Sequence, residues 1–537
     1  MLKKIWAPLA LMALFGVPAD AAQAPVASIM QNVPIGPNTP AEAMAAVKAA
    51  DVAIGASKVK SIHYMGGGGT SYVTVPGQSG TSSVQHSWPR FSLKKFDRVI
   101  DYDTMSMREE QVRTQGAWSA DIGGSGGPIV GEQTQIHFFR DGFAWDQNPD
   151  GSIVAAPQDA VERRLEIVMT PHGFIREALK AKDLHMDTLY EGSNTLRKTR
   201  AITFKYMDKY PIIGWLDENN QVTKVTTWFP SPMVGDEYVE TRYAQYKAYD
   251  GFAFGPDIHQ SYGIPPDPRY NFTATTVEVN VPNAAVQVPM AVRQSGYSTA
   301  FVQTRQLAPG VWLVGANNYN SVVVEFATYI AVIEAPLDEA RSIAVMNEAR
   351  RLIPNKQIRY VVNTHHHYDS AGGLRGYAAE DTLIITQQTN FDFYESVALA
   401  LHPQMIDPDT AGRLPRQVHY IRVLERYTLT DGARRMEIHH VQDQDHSEDM
   451  LMVYLANEKI LVESDLFEAP PPGKTPAATA LNLALLYNIQ RVSIMPTRIV
   501  SLHTGEIPIA DFLRVVGEDK LVAQGEGLDA ALNDSRP

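Results

Sequence analysis

Cysteine is absent from all 537 residues. Disulfides and thiolate ligands are thereby excluded, so any metal site must be assembled from histidine, carboxylates and water. The one conspicuous apolar run, Ile5–Val17, is too short to span a bilayer comfortably. Basic residues are in the minority, 47 against 60 acidic ones, for a formal net charge of −13. Nucleic acid is excluded as an expected partner, because phosphate binding draws on concentrated Lys and Arg. No internal repeat is visible, and the 37 glycines and 34 prolines are spread along the chain instead of gathered in one tract, which argues against long disorder.

What is present suits roughly two or three folded domains. The opening MLKKIWAPLALMALFGVPADAAQA joins Lys3 and Lys4 to the apolar run and to small residues around Ala19-Asp20-Ala21. This is the pattern of a cleaved secretory signal over residues 1–21. A periplasmic or secreted protein with no stable membrane anchor after cleavage is expected. TPAEAMAAVKAADVAIGA then reads as a helix. From about Phe91 to Val279 the rhythm is β: EQTQIHFFRDGFAWDQ, RAITFKYMDKYPIIGWLDENNQVTKVTTWFP and EYVETRYAQYKAYDGFAFG alternate β-branched or aromatic residues with polar ones. One helix, near DAVERRLEIVMTPHGFIREALKA, interrupts them. Residues 22–290 are therefore expected to form a mostly antiparallel β domain with one or two helices.

The Pro-containing stretch Val281–Gly296 marks a boundary. Beyond it GVWLVGANNYNSVVVEFATYIAVIEAP supplies short apolar strands, LDEARSIAVMNEARRLI a helix and QIRYVVNT another strand. Strands and helices then alternate, as in layered α/β domains.

That last strand ends in VVNTHHHYDSAGG, with three histidines and an aspartate inside five residues. Isolated histidines such as His63, His86, His172 and His402 are best read as ordinary core or surface side chains. Three in a row arise by chance on the order of once in a hundred sequences of this composition. In extended or tightly turned backbone, residues two apart project to one side, so His365 and His367 can converge on an ion while His366 points elsewhere. Further candidates sit at strand ends downstream: His446 before Met450–Leu455, Asp465 at the end of EKILVESD, and His503 at the end of PTRIVSLH.

In this order and strand context, HHHYDS, DHSEDMLMVYLANEKILVESD and SLHTG resemble the metallo-β-lactamase superfamily from about Gly296 to the C-terminus. The resemblance implies an αββα sandwich over residues 296–537, behind the extra β-rich domain. It also implies that His365, His367 and His446 hold one metal, with Asp369, Asp465 and His503 at a second and Asp465 bridging. The implied cofactor is zinc, one or two ions, with manganese or iron as alternatives at the second site. Asp369 would be the catalytic residue, orienting a metal-bound hydroxide and accepting its proton. An exported hydrolase of an ester, thioester, lactone, amide or sulfate ester follows, acting on a small-molecule substrate. A homo-oligomer is compatible with the sequence. The chain departs from the family at Ser370, where the pattern has histidine. The alternative reading is accordingly a weakly catalytic or non-catalytic ligand-binding protein on the same fold.

Overall fold

The structure is a computed structural model that describes residues 39–72, 90–115, 131–191, 197–233, 235–249, 251–263, 267–395, 406, 408–413, 417–444, 446–471 and 473–518. The expected signal, residues 1–21, lies outside them. No helix among the described residues is long and apolar enough to cross a membrane.

Among the described residues, thirteen strands form one sheet in the N-terminal half. The chain winds outward from Ser61–Tyr72 to Ile153–Ala155, passes through two helices, and re-enters at the opposite edge with His185–Glu191. It then works inward until Asp267–Val279 pairs antiparallel with Ser61–Tyr72. The first long strand is thus sealed by the last.

Helix Pro40–Ile54 begins where Thr39 and Glu42 form a capping box and ends on Gly55 in the left-handed region, each device satisfying backbone groups a helix end leaves orphaned. Its buried stripe, Ala43, Ala46, Val47, Ala50 and Ile54, has helical spacing and joins the sheet's core. The single helix expected around residues 159–181 is two, Ala160–Val168 and Pro171–Ala178. Thr170 caps the second, and Pro171 opens it, because proline has no N–H to continue the first. Among its described residues this half therefore carries three helices of eight or more residues, one more than the sequence suggested.

The C-terminal half is a four-layer sandwich. A seven-stranded sheet runs from Gln303–Ala308 to Tyr420–Val423 and a six-stranded sheet from Arg426–Thr430 to Gly505–Pro508. Val322, Ala331, Ile333 and Val362 of the first sheet share one buried cluster with Ile438, Val453, Val462 and Val500 of the second. On the first sheet's outer face Ile330, Val332 and Val361 pack with Val345, Met346 and Ala349 of helix Glu339–Leu352. Leu461 and Ile499 meet Leu485 and Ile489 of helix Ala480–Arg491 outside the other. Strand Tyr329–Ile333 is buried at every residue because both its faces are covered, and each fully buried Val or Ile side chain contributes about 1.5–3 kcal/mol. This is the αββα layering expected of the C-terminal part.

Candidate metal centre

The site lies at one rim of the sandwich. Strand Gln357–Val362 delivers residues 363–369 there, and strands Ile460–Glu463 and Arg498–Ser501, parallel neighbours, deliver Asp465 and His503 just past their ends. His446 precedes Leu451–Leu455, which is antiparallel to Ile460–Glu463 and so starts at the same rim.

The six candidate residues gather as two groups. His365, His367 and His446 offer ligand atoms within 4.8 Å of one another, and so do Asp369, Asp465 and His503. The three imidazole rings stand 4.5, 5.0 and 4.7 Å apart, centroid to centroid, all at steep angles. His365 Nε2 and His446 Nε2 approach to 3.3 Å. Asp465 joins the groups: Oδ2 lies 3.4 Å from His365 Nε2 and 3.7 Å from His446 Nε2, while Oδ1 lies 3.2 Å from His503 Nε2. Asp369 Oδ2 is 3.5 Å from His503 Nε2.

The electrostatics of the two groups differ. Burial holds the imidazoles of the first below their ordinary range, His365 at about 3 and His367 and His446 also lowered. They are neutral nitrogen donors. In the second, burial alone would lower His503, but its hydrogen bond to Asp465 and the charges of Asp465 and Asp369 push it up to about 10. Asp369 is raised to about 6 by burial and by the Asp465 charge. Two half-buried carboxylates that pull a proton onto an imidazole exert the same pull on a cation. Neutral imidazoles beside such carboxylates are a donor set that suits a borderline divalent ion, and the site fits a metal on this chemistry.

Supporting residues set the ligands' orientation. Thr364 Oγ1 lies 3.1 Å from His365 Nδ1 and donates to Glu334 Oε2 at 2.5 Å, which lets it accept from Nδ1–H and leaves Nε2 as the lone-pair nitrogen. Glu334, pushed up to about 8 by burial, was not singled out in the sequence. The signal was there: it is the carboxylate that ends the otherwise apolar strand YIAVI. Asn363 Nδ2 donates to the His365 carbonyl at 2.6 Å. Glu463, also at about 8 through burial, accepts from Leu466 N and Phe467 N at 2.9 and 3.2 Å. That clasp shapes the turn in which Asp465 adopts φ +63°.

His366 turns away from both groups. Its backbone N–H donates to Asp449 Oδ2 at 2.8 Å and its Nδ1 lies 3.0 Å from Asp449 Oδ1. Burial would raise Asp449, yet the facing His366 holds it far below the usual carboxylate range. Of the adjacent carboxylates Glu448 and Asp449, it is Asp449 that faces His366. Ser370 sits with its Oγ 3.5 Å from Ser464 Oγ, and Ser464 donates to Asp465 Oδ2 at 2.9 Å. The missing imidazole is thus replaced by a pair of hydroxyls. A Cβ on Gly372 would lie 2.1 Å from the Leu337 carbonyl oxygen, and one on Gly373 2.1 Å from Ser342 Oγ. Only glycine lets the metal loop pack this closely.

Residues 314–525 match the family model described as the metallo-beta-lactamase superfamily. No curated protein matches the chain. Among solved structures, a metallo-beta-lactamase from Pontibacter korlensis is 14% identical, the match covering 41% of this chain and 99% of that one at a TM-score of 0.32. The DIM-1 metallo-beta-lactamase is 15% identical over 41% of this chain and 98% of its own, at 0.31. The FIM-1 enzyme from Pseudomonas aeruginosa in its mono-zinc form is 17% identical over 41% and 96%, at 0.29.

Proposed function

Because residues 314–525 belong to the metallo-β-lactamase superfamily, we propose that this protein is a metal-dependent hydrolase of an ester, thioester, lactone, amide or sulfate ester. The observation that carries the reading is the pair of three-residue donor groups at one rim, joined by Asp465. His365, His367 and His446 would hold one ion and Asp369, Asp465 and His503 another. Zinc suits the imidazole group, and zinc, manganese or iron the oxygen-rich one. A divalent cation supplies, when bound, the positive charge that makes water acidic near neutral pH and polarises the substrate's electrophilic group.

The chain's own residues do the rest. Asp369, whose Oδ2 lies 3.5 Å from His503 Nε2 at the edge of the site, would accept a proton from an attacking water. Asp465 holds both groups in register through its two oxygens. His503 is fixed by its Nδ1–H donating to the Asn318 carbonyl at 2.9 Å and by the edge of Tyr319, 5.6 Å away. Burial of His365 and His446 keeps bulk water from their nitrogens. A small-molecule substrate and export to the periplasm or beyond complete the proposal, the latter supported by residues 1–21 alone.

The test is metal content after purification without chelator, followed by turnover of chromogenic esters, lactones and cephalosporins. Hydrolysis lost on chelation, regained on adding zinc and absent in His367→Ala supports the reading; turnover that survives both treatments overturns it. A second reading, a binding protein without turnover, is favoured by the Ser370–Ser464 pair in place of an imidazole. It predicts bound metal and no hydrolysis of any member of the panel.

A further inference from the structure

Arg341 stands in the first turn of helix Glu339–Leu352 and has no exposed surface. Its Nε donates to the Thr299 carbonyl at 2.6 Å, and its Nη1 to the Tyr319 and Ala316 carbonyls at 2.5 and 3.3 Å. None of these bonds goes to a carboxylate, and Nη2 is buried without a hydrogen-bond partner among the described residues. The buried guanidiniums of the N-terminal half are placed differently, since Arg98 and Arg163 each face two carboxylates. A neutral carbonyl offsets less of a cation's desolvation than a carboxylate does, and an apolar side chain of similar volume would fill the space without that penalty. Docking of the helix does not require the charge either, because Val345, Met346 and Ala349 already seat it on the sheet.

The carbonyls it holds supply the reason. Ala316 and Tyr319 are the last cross-strand pair of the hairpin formed by Val311–Ala316 and Tyr319–Glu325. Its tip, Asn317 and Asn318, is exposed, with φ of +57° and +64°, a conformation that tight two-residue hairpin turns require and asparagine tolerates. An exposed tip of two residues has little packing of its own, so its direction is set at its base. From that tip the Asn318 carbonyl accepts from His503 Nδ1–H at 2.9 Å, and the Tyr319 ring stands edge-to-face with His503. Asn320 donates from both N and Nδ2 to the Leu502 carbonyl, at 3.1 and 2.8 Å. The hairpin thus carries the acceptor that leaves His503 Nε2 facing Asp465 Oδ1 and Asp369 Oδ2, at 3.2 and 3.5 Å.

We propose that Arg341 is a positioning residue for the second donor group: by clamping the base of this hairpin it orients His503, and so sets how tightly Asp369, Asp465 and His503 hold a divalent cation. The inference rests on the reading above only in taking those three residues as a metal-binding group. An imidazole ligand depends on the acceptor at its other nitrogen, which fixes the ring and its tautomer. The first group takes its orientation elsewhere, with His365 set by Thr364 and Glu334. A change at Arg341 should therefore reach one group and spare the other.

The experiment is a zinc titration of the full metal-free chain, read as ions bound per chain and the affinity of each, with denaturant unfolding alongside. The wild type is expected to take up two ions. Arg341→Met should keep the first and weaken the second by about 10- to 100-fold. Arg341→Lys keeps the charge but lacks the fork that reaches several carbonyls at once; it should fall between the two, and it carries the test where the Met variant does not fold. Met346→Ala, a cavity in the buried face of the same helix that leaves the hairpin's hydrogen bonds in place, should lower the unfolding midpoint and retain both ions. A second ion unchanged in both Arg341 variants, equal loss of both ions, or a loss in Met346→Ala as large as in Arg341→Met overturns the inference. A wild type that binds a single ion overturns it too, and chelator-sensitive hydrolysis would then still uphold the hydrolase. Selective loss of the second ion in a chain that hydrolyses nothing retains the inference and rejects the hydrolase.

Discussion

In the N-terminal sheet Arg98 lies between Glu109, at 2.6 Å, and Glu166, at 3.1 Å, and Arg269 bridges Glu166 and Glu162. At the sandwich rim, by contrast, the converging groups are imidazoles and carboxylates, and His503 is itself drawn into the role of cation. Both regions bury charge that water would otherwise solvate. The first neutralises it with guanidiniums of the same chain, so Glu109 is held at about 2 by Arg98 although burial opposes it. The second gathers imidazoles and carboxylates at one rim, with His503 paired to Asp465 and Asp369. Guanidiniums that neutralise every neighbouring carboxylate tie a fold together, whereas imidazoles and carboxylates gathered at a rim are a donor set of the kind that suits a divalent cation.

The comparison can be broken most severely at the rim. His367→Ala is expected to lower metal affinity and turnover by more than about 100-fold while leaving the unfolding of the N-terminal sheet unchanged; bound metal and kcat/KM, measured together, decide it. In the sheet, Arg98→Met leaves Glu109 and Glu166 buried without their shared cation and should cost about 3–5 kcal/mol, read by denaturant unfolding, with metal content intact. Loss of metal in that variant would mean the two networks are one.

Smaller changes sharpen the contrast. Asp449→Asn keeps the shape but weakens acceptance from both His366 N–H and Nδ1, and metal affinity should fall about 10- to 100-fold as the loop loses its clasp. His172, fully buried in the N-terminal core, is lowered by burial from 6.5 to about 4. The folded protein keeps it neutral where the unfolded chain protonates it. Its contribution to stability is complete above about pH 6.5 and is lost as the pH falls toward 4, at about 1.4 kcal/mol per pH unit; His172→Phe should flatten that slope in acid unfolding curves. Ser370→His should raise metal bound per chain, and unchanged stoichiometry would show that the hydroxyl pair does not limit the second group.

Much of this was legible along the chain. His365, His367, Asp369, His446, Asp465 and His503 stand at strand ends, and the alternation that separates His366 from its neighbours follows from extended backbone. The helices of the N-terminal half were less legible, since Thr170 and Pro171 divide one apolar stretch into two helices without changing its overall pattern. The supporting residues were harder still. Asp449 and Glu448 are adjacent and chemically alike, and nothing local says which carboxylate faces His366. Ser464, whose hydroxyl stands beside Ser370, reads as an ordinary strand-end serine.

The amino-acid order alone determined the kinds of donor available, since a chain without cysteine can offer only nitrogen and oxygen, and it determined the rim at which strand periodicity sets them down. Tertiary structure decided which of those donors meet and which carboxylate faces His366. Contacts such as Asp449 with His366 or Asp236 with the Ile406 N–H join residues 83 and 170 positions apart. Packing of whole sheets, not local periodicity, brings such pairs together.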